Sequence, residues 1–180
     1  MNNKKSSGLF RTQNYWTWIL YGALVLIVAL MQTSPRFFPV IAYARPTPLV
    51  LIAVCVAMLE GPAVGAIIGM VAGLLWDMYS DRIFGYYGLI LFGIGLIVGL
   101  LIQWLLRANF LSAMLLCVGG VLVYTLLDWL ICYVLFLQEE IWTVLVSVYL
   151  PNALYTALLS PLAYGGILLL ARFLRRKKKA

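Results

Sequence analysis

The stretch GPAVGAIIGMVAGLLWDMYSDRIFGYYG, residues 61–88, decides the fold of this chain. Glycine recurs in it at every fourth position, and the next step of four falls on an aspartate. These residues are Gly61, Gly65, Gly69, Gly73 and Asp77. Positions four apart form one inclined ridge on an α-helix, since each step advances by about 400°. In lipid, a ridge without side chains lets a second helix approach closely, so the stretch predicts a transmembrane helix packed through its glycines.

The composition is that of an integral membrane protein. Of 180 residues, 64% are hydrophobic and 11% charged, and the mean hydropathy is +1.01, far too apolar for a soluble domain of this length. The apolar runs have the length of membrane helices rather than of barrel strands. We therefore predict an all-α membrane protein, a bundle of about six transmembrane helices. Its predicted parts are an N-terminal segment 1–15, a transmembrane domain 16–174 and a basic tail 175–180.

Four of the six predicted spans have definite bounds, at about 16–32, 62–80, 84–106 and 110–136, and the sixth lies within 141–174. The second span has a firm part, Pro48–Leu59, and either begins near Phe37 or is short and shielded by its neighbours. The last run is about 50 Å long as a straight helix, against about 30 Å of hydrocarbon. It must therefore bend or lie flat in part, and Pro151 is the predicted point.

Positive charge predicts the orientation. With six spans and both termini inside, most of the basic residues collect on the inner side. These are Lys4, Lys5, Arg11, Arg107, Arg172, Arg175, Arg176 and Lys177 to Lys179, against Arg36, Arg45 and Arg82 outside. The cluster 172–179 directly follows an apolar segment, so we interpret it as a topology anchor and a lipid contact. No nucleic-acid partner is expected.

The residue inventory argues against an enzyme. The chain has no histidine, which excludes Ser-His-Asp and Cys-His catalysis and a histidine-based metal site. Cys55, Cys117 and Cys132 lie singly in apolar runs, so neither a disulfide framework nor a metal site is indicated. Asp77 and Asp128 are predicted at different depths, which disfavours an aspartate dyad. We therefore predict no catalytic residue, no metal ligand and no cofactor.

Asp128 and Asn152 are the polar residues that we single out within the last two spans. A polar group in lipid must be satisfied by its neighbours, so we expect an interhelical clamp between these two residues. Tyr124, Tyr155 and Thr156 are further expected partners of Asp128. The functional alternative is a pocket that binds a ligand or a partner.

One family shares this pattern of residues. Its elements are Arg45-Pro46, the run LVLIAVCVAML, Gly-x3-Gly-x3-Gly-Leu-Leu-x-Asp from Gly65 to Asp77, and Gly85 and Gly88 before a glycine-bearing span. With these elements the chain resembles the MreD family of bacterial rod shape-determining membrane proteins. The positions that match the family pattern are Pro46, Gly69, Gly73, Asp77 and Gly85, and more weakly Pro151 and Asn152. Helix packing adds Gly65, Gly88, Gly95 and Gly99.

The resemblance implies a non-enzymatic scaffold of the cell-elongation (rod) complex in the bacterial cytoplasmic (inner) membrane, with both termini cytoplasmic. It implies direct binding of MreC. Through the complex it implies contact with MreB, RodA and a class B penicillin-binding protein transpeptidase, in support of peptidoglycan synthesis and cell shape. The lipid bilayer is the remaining partner, and a homodimer is left open.

A second resemblance leaves another function open. The Gly61-Pro62 pair and the regular glycine spacing are also similar to the substrate-binding S components of energy-coupling-factor vitamin transporters. Since one architecture can serve several functions, a similar six-helix bundle does not choose between the two. An S component requires an outward-facing pocket of polar and aromatic groups. Candidates for such a pocket are Asp77, Asp81, Asp128, Trp129 and Tyr149.

Overall fold

The computed structural model describes residues 15–33, 46–80, 83–104, 110–134 and 141–177. Within these ranges 92% of the residues are helical and no strand is present, which confirms the all-α prediction. The helices are α1 (Tyr15–Thr33), α2 (Pro48–Glu60), α3 (Pro62–Asp77), α4 (Tyr86–Trp104), α5 (Phe110–Trp129), α6 (Ile141–Val144), α7 (Leu150–Leu158) and α8 (Ser160–Lys177). Two π-helical segments, Leu130–Val134 and Leu145–Tyr149, extend α5 and join α6 to α7. Asp81, Arg107, most of the predicted N-terminal segment and the end of the basic tail lie outside the described residues.

Two helices in the described ranges are long and apolar enough to cross a membrane, Tyr86–Trp104 and Phe110–Cys132. The bent pair Leu145–Leu158 and Ser160–Ala171 supplies a third if it forms one span. Three shorter apolar helices correspond to the first three predicted spans, Trp18–Thr33, Pro48–Glu60 and Pro62–Asp77. The number of membrane crossings therefore stays a prediction.

Helix α2 lies at the centre of the structure. Every residue from Leu49 to Met58 is buried, which explains why its sequence is apolar on all faces instead of one. It contacts α1, α3, α4, α5 and α8. At 1.5 Å per residue its 13 residues extend about 20 Å, less than the hydrocarbon thickness of about 30 Å. The described helix matches the short, shielded form predicted for the second span, and residues 37–45, on which the longer form depends, lie outside the described residues.

A tight turn at Gly61 joins α2 to α3. Gly61 has φ of 102°, a conformation that side chains disfavour and glycine adopts freely. Its N–H donates to the carbonyl oxygen of Ala57 and so satisfies the end of α2. Pro62 opens α3, where its missing N–H costs nothing, as the sequence predicts.

Helices α3 and α4 are antiparallel and touch backbone to backbone. A Cβ added to Gly69 would lie 2.5 Å from the carbonyl oxygen of Leu91, and one added to Gly95 would meet the carbonyl oxygen of Gly65. The backbones of α3 and α4 can come this close only because glycine occupies these positions. The glycine ridge predicted from the sequence is therefore the surface on which α4 packs.

The same close contact extends to both ends of the pair. Near the end of α3, a Cβ on Gly73 would lie 2.5 Å from Cα of Gly88. Near its start, a Cβ on Gly99 would overlap Pro62. Contacts recur every four residues along α3 and about every four residues along α4 in the opposite direction, as expected for two antiparallel helices whose ridges interlock.

Helix α2 packs against a neighbouring part of the ridge. A Cβ on Gly65 would overlap Ala57 of α2, and one on Gly69 would lie 3.4 Å from Cβ of Ala53. Small residues on α2 thus meet small residues on α3, four positions apart on both helices. The three helices form a compact group because none carries a side chain that would hold the others apart.

The break in the last apolar run is not at Pro151, so that prediction is wrong. The chain bends by 42° between Leu145–Leu158 and Ser160–Ala171. The break at Leu159 lies two residues before Pro161, whose ring and missing N–H oppose continuation of a helix across it. Pro151 lies in the first turn of α7, directly after the π-helical segment Leu145–Tyr149. The wider hydrogen-bonding pattern of that segment accommodates a proline without a break.

Replacing Gly73 with alanine is expected to destabilise the protein by about 1–3 kcal/mol, because the new Cβ would overlap the backbone of Tyr87 and Gly88. The measurement is thermal unfolding of purified protein in detergent. Gly93→Ala is the matched control, since nothing lies within 4 Å of a Cβ added there. The control should be neutral, or stabilising by up to about 1 kcal/mol through helix propensity. Equal stability of the two variants would contradict close packing of α3 on α4.

Candidate functional site

Asp77, the last residue of α3, binds the start of α4 with its carboxylate. Its Oδ2 accepts the N–H groups of Gly85 and Gly88, each at 3.1 Å, and its Oδ1 accepts that of Tyr87 at 3.0 Å. The first N–H groups of a helix have no partner within that helix, so one side chain satisfies three of these donors. Its negative charge also lies at the positive end of the α4 dipole. This explains why a carboxylate that is only 4% exposed is tolerated among apolar helices.

Gly85 and Gly88 shape the backbone that Asp77 binds. Gly85 has φ of 96°, which favours glycine, and it turns the chain into α4. Gly88 faces α3, where an added Cβ would lie 3.2 Å from Cδ2 of Leu74. The predicted positions Gly73, Asp77, Gly85 and Gly88 therefore lie together at one junction.

Asp128 lies near the end of α5 and is buried, with 5% of its surface exposed. The Tyr149 hydroxyl donates to its Oδ2 at 2.7 Å, and the Cys132 thiol lies 3.6 Å from its Oδ1. Thr156, predicted as a partner of Asp128, instead donates to the carbonyl oxygen of Asn152 and accepts the N–H of Thr47. The hydrogen bonds of Asp128 thus join α5 to the π-helical segment before α7.

A cavity of about 600 Å³ opens where α1, α3 and α5 end and where α2, α4 and α7 begin. This volume is within the range of small-molecule sites. The predicted residues Pro46, Asp128 and Asn152 line it, and Asp77 is not among its lining residues. Its aromatic walls include Trp76, Tyr79, Tyr87, Tyr124 and Tyr149. Among the described residues that line it, Asp128 carries the one charged side chain.

The Trp76 indole is part of the cavity wall and has a polar atom without a partner. Its Nε1 is buried and finds no hydrogen-bond acceptor in the described part of the chain. Its ring meets Tyr87 edge to face, with centroids 6.0 Å apart. A buried donor left unpaired costs about 1–3 kcal/mol.

Sequence reasoning named only part of this cavity. It identified Asp128, Asn152 and Tyr149, but not Trp76, Tyr87 or the pair Gln32 and Thr47. A usable signal was present, because polar and aromatic residues cluster at the ends of successive spans that meet on one side of a bundle. Within the described ranges no group of three or more His, Cys, Asp or Glu side chains could hold a metal ion.

Replacing Asp77 with asparagine is expected to destabilise the protein by about 1–3 kcal/mol. The amide keeps one acceptor oxygen and turns an NH₂ group toward at least one of the three N–H donors, and the charge at the helix start is lost. The measurement is again thermal unfolding in detergent. Ser80→Ala is the control, because its hydroxyl bonds the backbone oxygen of Asp77 and not the carboxylate. A change for Asp77→Asn no larger than that for Ser80→Ala would contradict the capping role.

No curated protein and no solved structure matched the chain. Residues 12–174 match the model of the family described as rod shape-determining protein MreD. The matched part includes the glycine ridge, the Asp77 junction and the cavity. The chain therefore belongs to the MreD family of rod shape-determining proteins.

Proposed function

We propose that this chain is a non-enzymatic membrane scaffold of the bacterial rod complex, which binds MreC and supports peptidoglycan synthesis during elongation. The observation that carries the proposal is the family match over residues 12–174, since membership in this family supports a role in rod shape determination. The packing of α2, α3 and α4 is consistent with that role. A scaffold must hold its binding surfaces in fixed relation, and helices in backbone contact move little against each other.

The proposed topology has six membrane crossings and cytoplasmic termini. The two long helices and the bent pair account for three crossings, and α1, α2 and α3 for the others. The excess of Lys and Arg at the termini and at Arg107 supports this orientation. In it the Asp77 junction and the cavity face the outer side of the cytoplasmic membrane, where peptidoglycan is built.

An apolar surface on α5 is available to lipid or to a partner helix. Large side chains three or four residues apart along this helix are exposed, among them Leu111, Leu115, Val118, Leu122 and Leu126. Helices associate in lipid by van der Waals packing, so such a surface suits the single span proposed for MreC. MreB, RodA and the class B penicillin-binding protein transpeptidase are then reached through the complex.

Affinity purification of the tagged full-length chain from its native membrane, in mild detergent, tests the proposal by mass spectrometry. The expected result is recovery of MreC together with cell-wall synthesis components. The matched control is the Gly93→Ala variant, which should recover the same partners. Recovery of ABC-type ATPases and a retained vitamin, without MreC, would contradict the scaffold.

The substrate-binding component of a vitamin transporter is the second candidate, and the cavity is the observation that favours it. The cavity brings together polar and aromatic side chains at one end of the bundle, as such a component requires. Neither the fold likeness nor the coupling to an ATPase has direct support, and the family match favours the scaffold. A ligand in the cavity is compatible with both functions.

A further inference from the structure

The cavity described above contains a buried acid to which the described residues supply no counter-ion. Asp128 is 5% exposed, and among those residues its carboxylate meets the Tyr149 hydroxyl at 2.7 Å, the Cys132 thiol at 3.6 Å and the Tyr86 hydroxyl. No Lys or Arg is among the described lining residues. Buried charges in proteins are normally paired, since an unpaired carboxylate in a low-dielectric interior is costly. The site therefore favours a ligand that brings a positive charge.

The walls of the cavity also suit a cation. The ring centroids of Trp76 and Tyr124 each lie 6.0 Å from that of Tyr87. Aromatic faces attract an ammonium group by about 0.5–2 kcal/mol, and more strongly where water is excluded. An acid together with several rings is the combination that retains organic cations.

A primary ammonium group on a short carbon chain has the required chemistry. Ethanolamine phosphate supplies such a group, either as the headgroup of a phospholipid or as a soluble compound.

We propose that this cavity binds a primary ammonium group, with Asp128 as its counter-ion. The aromatic side chains of the wall hold the carbon chain. This inference does not depend on whether the protein acts as a scaffold or a transporter component, since it rests on the cavity alone.

The test is native mass spectrometry of the full-length chain, titrated with matched ligand pairs. The lipid pair is phosphatidylethanolamine and phosphatidylglycerol with identical acyl chains, and the soluble pair is phosphoethanolamine and glycerol phosphate. We expect the ammonium member of a pair to bind at least about tenfold more tightly. Preference within the lipid pair alone identifies a headgroup, and competition by phosphoethanolamine identifies a soluble ligand.

Three variants connect the binding to the residues. Asp128→Asn should abolish the preference for the ammonium member. Trp76→Phe should weaken binding about threefold, because an indole attracts a cation more strongly than a phenyl ring does. Ser160→Ala is the control, because Ser160 is buried outside the cavity and bonds to Met114. Equal binding of both members of each pair by the wild type would overturn the proposal, whatever the folding of Asp128→Asn. Survival of the preference in a folded Asp128→Asn variant would also overturn it.

Discussion

Contact between the backbones of α3 and α4 is the interaction on which the rest of the structure depends. In lipid, apolar side chains gain little by leaving one apolar surface for another, so helices associate by close packing and by hydrogen bonds. The ridge of Gly65, Gly69 and Gly73 provides the close packing, and the carboxylate of Asp77 provides the hydrogen bonds. Because both lie on α3, one helix fixes the position, direction and starting point of α4.

The remaining elements take their places around this pair. Helix α2 fits against the ridge because Ala53 and Ala57 are small, and α2 is in turn enclosed by α1, α5 and α8. The cavity forms at the same end as the Asp77 junction, where these helices begin or end without filling the space between them. A family role in rod shape determination is thus carried by a bundle that is closely packed through its centre and open at one end.

The glycine ridge could be predicted because a glycine at every fourth residue is visible in the sequence without any knowledge of which helices are neighbours. The capping by Asp77 could not be predicted, since its three donors become neighbours only after α4 has folded back. The break at Pro161 was missed for a different reason. Pro151 and Pro161 are alike in local sequence terms, and only the π-helical segment before Pro151 distinguishes them. The cavity was found in part, because Asp128 and Asn152 are conspicuous in lipid, whereas Trp76 is an ordinary interfacial residue until its indole is seen to be buried and unpaired.

The most direct test of the central claim, that Asp77 and the ridge join α3 and α4 into one unit, is amide hydrogen exchange measured by NMR. The N–H groups of Gly85, Tyr87 and Gly88 lie at a helix start, where exchange is ordinarily fast because these donors have no partner within the helix. We predict that they exchange as slowly as amides inside α4, such as that of Ile94. Rapid exchange at these three residues beside a protected Ile94 would contradict the account.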